Sequence, residues 1–154
     1  MTSPIDTFSK ALSVPLTVWP DPQGDVVLHY SRGECLIYFG CWLTSGEPAN
    51  YVGKLIFHHA WAVRGSCFEF LPYEIEEHKH PSNICTVENS QWLKEMNSQR
   101  LANYPEWKNW DTREYSHYLI SGHDNYYEII ASGFDQQTVS QENAGELVRL
   151  IYDA

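Results

Sequence analysis

Apolar and polar positions alternate through much of this chain, and turn-forming residues punctuate the alternation. Val26 to Tyr30 is β-branched and aromatic, and Ser31-Arg32-Gly33-Glu34 separates it from a second apolar run, Cys35 to Leu43. Together they predict a hairpin. In the second run Cys35, Ile37, Phe39 and Cys41 share one face and Leu36, Tyr38 and Trp42 the other, which predicts a central strand covered on both sides. Val52 to Arg64 predicts a third, long strand whose odd positions, Leu55, Phe57, His59, Trp61 and Val63, form a largely apolar face. Cys67 to Leu71 predicts a short fourth strand ending at Pro72. Tyr115 to Ser121 and Tyr126 to Ser132 flank Gly122-His123-Asp124-Asn125, a loop of turn formers, and predict another hairpin.

Three segments change period from two to 3.6. Near the N-terminus Ser3 suits an N-cap, Pro4 the first helical position and Asp6 the first turn, with Ile5, Phe8 and Leu12 at helical spacing. Asn89-Ser90 opens a helix carrying Trp92, Leu93, Met96 and Leu101 through about Asn103, which Pro105 stops. Glu106 to Glu114 is irregular. Thr138-Val139-Ser140-Gln141 has the capping-box pattern ahead of Leu147, Val148, Leu150 and Ile151. The expected fold is α+β: one domain over residues 1–154, a single antiparallel sheet of five to six strands, and the N-terminal, 90–103 and C-terminal helices packed mainly on one face.

Composition narrows the classes. At 154 residues the chain can bury a core without staples, and 43% apolar against 19% charged residues excludes a disordered chain. Twenty acidic and ten basic side chains leave a formal charge of −10, which disfavours nucleic acid and anionic membranes as partners. The N-terminal residues show no basic-then-apolar secretory pattern, and Cys35 to Leu43 is too short to span a bilayer. A soluble, cytoplasmic protein is expected. Cys35, Cys41, Cys67 and Cys85 form no C-x-x-C pair, so buried reduced thiols are expected rather than a zinc ribbon or redox motif.

Chemistry-bearing residues fall into a few groups. If Glu74 to Pro81 is extended, Glu76, His78 and His80 share a face, and imidazole with carboxylate can hold zinc or another divalent ion. His58 and His59 point to opposite sides of a regular strand; His59 is expected in the core, and His58 on the face that could meet a ligand. His123-Asp124 is expected to make a turn, and His117 to be partly buried rather than catalytic. Neither a Gly-x-Ser-x-Gly elbow nor a Gly-x-Gly-x-x-Gly or Walker loop occurs. Trp107, Trp110, Trp42 and Tyr104 sit in irregular or polar settings beside loops, where rigid rings with a polar edge suit a binding surface.

The expected function is therefore a non-enzymatic binding module that takes a basic protein partner or a small ligand, without a required cofactor. Its expected site is a concavity with one wall from the long third strand and the other from Pro105 to Asp111. The alternative is a metal-binding protein or metal-dependent hydrolase using Glu76, His78 and His80. A homodimer, covering an apolar sheet face, is compatible with either.

Overall fold

The computed structural model describes residues 9–67, 71–76 and 82–152. They are mostly β, arranged in two sheets with short helices, rather than the α+β fold on a single sheet expected. The first has the order β6 (Ala62–Cys67), β10 (Asn125–Ala131), β9 (Ser116–Ser121), β8 (Ile84–Val87), β1 (Ser9–Ser13), β7 (Tyr73–Glu76). The second has the order β11 (Gly133–Ser140), β5 (Pro48–His58), β4 (Glu34–Trp42), β2 (Trp19–Pro20), with β3 (Val27–Ser31) on the same edge of β4 as β2. All the described pairings are antiparallel except β1 with β7.

The sheets face each other across one apolar core. Ile37, Phe39, Leu55 and Phe57 from the second sheet meet Ile84, Tyr118, Ile120 and Ile129 from the first. Phe57 and Tyr118 pack edge to face with ring centroids 5.3 Å apart, and burying a ring such as Phe57 is worth roughly 2–3 kcal/mol. The predicted two-faced character of β4 is met from both sides. Cys35, Ile37, Phe39 and Cys41 enter the core between the sheets, while Tyr38 packs outside with Val52, Ala144 and Ile151. Those last two belong to α2 (Gln141–Ala144) and α3 (Glu146–Tyr152). The helices therefore lie on opposite outer faces, not one: α2 and α3 against the second sheet, and α1 (Gln91–Asn103) beside β9 of the first.

The predicted long strand is bent into two. β5 ends at His58, His59 takes φ 51°, and the chain re-enters pairing in the other sheet at Ala62. Its partner turns at the same place: β10 pairs Ile130 with Ala62, and β11 pairs Gly133 with His58. A two-stranded ribbon thus folds over as a unit from one sheet into the other, the usual way a sandwich makes a corner. His59 Nδ1 lies 2.8 Å from Ser132 Oγ at this bend. The expectation of a core His59 is thereby corrected, because the corner turns the residue to solvent.

Two helical readings also change. Leu12 belongs to strand β1, whose Ala11 is fully buried between β7 and β8, so tertiary pairing overrides the helical spacing. The positions that start the predicted helix, Ser3 to Phe8, lie outside the described residues, as do most of those in the predicted Cys67–Leu71 strand. Thr138 and Val139 belong to β11, and Ser140, two residues later than expected, caps the helix by accepting from Asn143 N–H at 3.2 Å. Gly145, at φ 51°, then divides the C-terminal helix in two. No helix among the described residues is long and apolar enough to cross a membrane.

Candidate functional site

Helix α1 is fastened to the first sheet by polar anchors at each end rather than by an apolar face, and none of its residues is buried. At its start, Ser90 Oγ accepts the Leu93 N–H at 3.0 Å, as an N-cap should, and bonds His117 Nδ1 at 2.6 Å. His117 Nε2 donates to Glu128 Oε1 at 2.8 Å, since a carboxylate can only accept. Arg64, directly across the ladder from Glu128, adds Nε to Oε2 at 2.7 Å and Nη2 to Oε1 at 3.2 Å, and the Tyr73 hydroxyl donates to Oε1. Trp92 of α1 sits between them, its ring 4.1 Å from the Arg64 guanidinium and 5.0 Å from the His117 ring. Burial alone would raise the Glu128 pKa, but its bonds to His117, Arg64 and Tyr73 win and hold it down at about 2. Burial and the adjacent Glu128 charge push the Tyr73 hydroxyl upward.

A serine, a histidine and a carboxylate in line resemble a nucleophile relay. Its hydrogen bonds also hold the helix. Ser90 is 7% exposed and its oxygen caps α1, while Glu128, 4% exposed, is already neutralised by Arg64. The relay pins the start of α1 to β9, β10 and β6.

The second anchor lies near the end of the helix and builds the site. The Arg100 guanidinium is surrounded by three indoles, with centroids 4.3 Å (Trp107), 4.9 Å (Trp61) and 5.0 Å (Trp110) away. Its Nη2 reaches Asp111 Oδ2 at 2.8 Å, while Nη1 is buried with no hydrogen-bond partner among the described residues. The ring faces offset that desolvation. Asp111 also accepts from Tyr115 Oη at 2.7 Å and from Arg113 N and Nη1 at 3.2 Å each. Burial would raise its pKa; the Tyr115, Arg100 and Arg113 bonds reverse this and hold the carboxyl well below the usual range. The chain between is locally determined. Tyr104 N–H returns to Arg100 O at 2.7 Å to end α1, and Trp107 to Asn109 forms a single 3₁₀ turn closed by Trp110 N–H to Trp107 O at 3.2 Å, with Asp111 N–H reaching the same oxygen at 2.9 Å.

This frame leaves a groove of about 570 Å³ between α1 and residues 105–115. Leu101, Pro105, Trp107 and Tyr115 supply apolar walls. Asn97 and Ser98 line the helix side, and Lys108, Arg113 and Glu114 carry the charges. Nearby, Tyr104 and Trp110 are 62% and 63% exposed and stand edge to face at 6.4 Å.

The structure thus brings together three of the predicted binding residues, Trp107, Trp110 and Tyr104. Trp107 is buried as a wall, and the other two are exposed. Trp42 and His58 are not part of this cluster. Trp42 ends β4 opposite Trp19, and His58 Nε2 pairs with Asp135 Oδ2 at 2.7 Å on β5 and β11. The long strand's run supplies no wall of the groove, against expectation; its Trp61 packs behind it, 5.6 Å from Tyr115. Glu76 ends β7, its carboxylate 3.7 Å from Lys10, and His78 and His80 lie outside the described residues. No group of three or more metal-ligating side chains occurs among the described residues. The four cysteines are free, with Cys35, Cys41 and Cys85 buried; Cys67 is exposed, against expectation. Burial pushes the thiols of Cys35 and Cys41 up to about 12.

Sequence reasoning missed Arg100, Asp111, Arg113, Tyr115 and Leu101. One signal was available: Asn97, Arg100 and Leu101 fall three and four apart on α1 and so share a face. Compared with models of known families, with curated proteins and with solved structures, the chain shows no significant match.

Proposed function

We propose that this chain is a non-enzymatic binding protein that holds a small ligand with an apolar body in the groove between α1 and residues 105–115. The supporting observation is that groove, about 570 Å³ in volume and walled by Leu101, Trp107 and Tyr115. Its size falls in the range of small-molecule sites, and such sites are mostly apolar with a few polar groups. The walls are pre-organised, because Arg100 and Asp111 hold Trp107 and Tyr115 in place before any ligand arrives. Of the two occupants expected for a binding module, the small ligand suits this surface better than a basic protein, since two cationic side chains, Lys108 and Arg113, line it.

A ligand-observed NMR screen of small aromatic compounds tests the reading. Binders are expected, and Leu101→Asp should abolish their signals with only a small loss of Tm, because Leu101 is 53% exposed at the end of α1. A screen without binders, or binders indifferent to Leu101→Asp, would overturn it.

A further inference from the structure

We infer that the ligand of this groove is a monoanion, an aryl or alkyl carboxylate whose apolar body lies against Trp107 and Tyr115; this rests on the proposed binding function. The chain has twice as many acidic as basic side chains, yet the groove reverses the balance, with Lys108 and Arg113 against Glu114. Lys108 makes no ion pair among the described residues, and its ammonium lies 5.6 Å from the centre of the Trp107 ring. Arg113 donates Nη1 to Asp111 at 3.2 Å and lies beside the Tyr115 hydroxyl, and its side chain remains 47% exposed. The Asp111 carboxylate is in turn occupied by Tyr115, Arg100 and Arg113, so it does not compete for an incoming cation.

An ammonium and a guanidinium beside an aromatic wall are complementary to a carboxylate joined to an apolar body. Asn97 and Ser98 bring neutral side chains that can donate hydrogen bonds from α1. With Glu114 also on the lining, the three charged side chains sum to one positive charge, which a single carboxylate neutralises and a phosphate monoester dianion would overshoot.

The test uses four matched probes: 2-naphthylacetate, 2-naphthylacetamide, 2-(2-naphthyl)ethylamine and 2-naphthyl phosphate. Each is titrated into ¹⁵N-labelled full-length protein while the Trp107 indole N–H signal is followed. The carboxylate should bind ~10-fold tighter than the amide, as expected for charge-assisted hydrogen bonds, and no weaker than the phosphate. Lys108→Met should remove most of that preference, the acid losing far more affinity than the amide, whose continued binding shows that the groove is intact. Equal affinity of acid and amide, or tighter binding of the amine or the phosphate, overturns the carboxylate assignment and leaves the binding function standing. Failure of all four probes to move the Trp107 signal at millimolar concentration overturns both.

Discussion

Replacing Glu128 with Gln should destabilise the protein in a pH-dependent way whose size can be worked out in advance. The carboxylate is 4% exposed and receives hydrogen bonds from Arg64, Tyr73 and His117. Its pKa falls from 4.5 to about 2 on folding, so the group contributes ~3 kcal/mol at neutral pH. For a carboxylate with a depressed folded pKa, that contribution is present above the unfolded pKa. It disappears as the pH falls through the folded one. Between pH 7 and about pH 3 it should shrink to roughly 1.5 kcal/mol. Glutamine keeps the shape but turns an N–H₂ toward donors, so most of the contribution should be lost. Urea titrations of both proteins at the two pH values, compared at equal m, measure the difference. A gap below ~1 kcal/mol at pH 7, or one that does not narrow at low pH, would refute the claim that Glu128 is the charged hub of the α1 anchor.

Other substitutions address separate parts of the account. Arg100→Ala leaves Asp111 buried with less compensation and should cost ~3 kcal/mol in chemical denaturation, with a change in tryptophan emission as the indoles lose their cation. Gly53→Ala places a methyl into the Phe39 ring and should cost ~1–3 kcal/mol, read as a lowered Tm. Under native conditions a thiol reagent should modify Cys67 quickly, and Cys35, Cys41 and Cys85 only on the timescale of unfolding. Fast reaction of Cys35 or Cys41 would contradict the packing between the sheets, and of Cys85 the separate cluster with Ala11, Val87 and Leu119.

Individual elements, though not the architecture, were legible where a local signal and the tertiary environment agree. The β9–β10 hairpin and the two-faced β4 appeared as expected, and so did the start of α1 at Ser90, because alternation and capping are local chemistry. The division into two sheets was not legible. The apolar alternation runs through His59 with neither Gly nor Pro to mark the corner, and the turn exists only because β10 and β11 bend alongside. Strand β11 was hidden for a related reason. Its Asp135-Gln136-Gln137 stretch is polar along an edge strand that, among the described residues, pairs with β5 alone. At the site, the exposed rings Tyr104 and Trp110 stood out by their polar neighbours. Arg100 and Asp111 looked like ordinary surface charges, since ten intervening residues hide the fact that the 3₁₀ turn carries one onto the other.

The most direct test of the central claim is where a ligand sits in solution. Intermolecular NOEs from a bound naphthyl ligand should reach the Leu101 methyls and the Tyr115 ring. NOEs reaching only other exposed apolar residues, such as Tyr30, Leu43 or Tyr152, would place binding elsewhere and contradict the account.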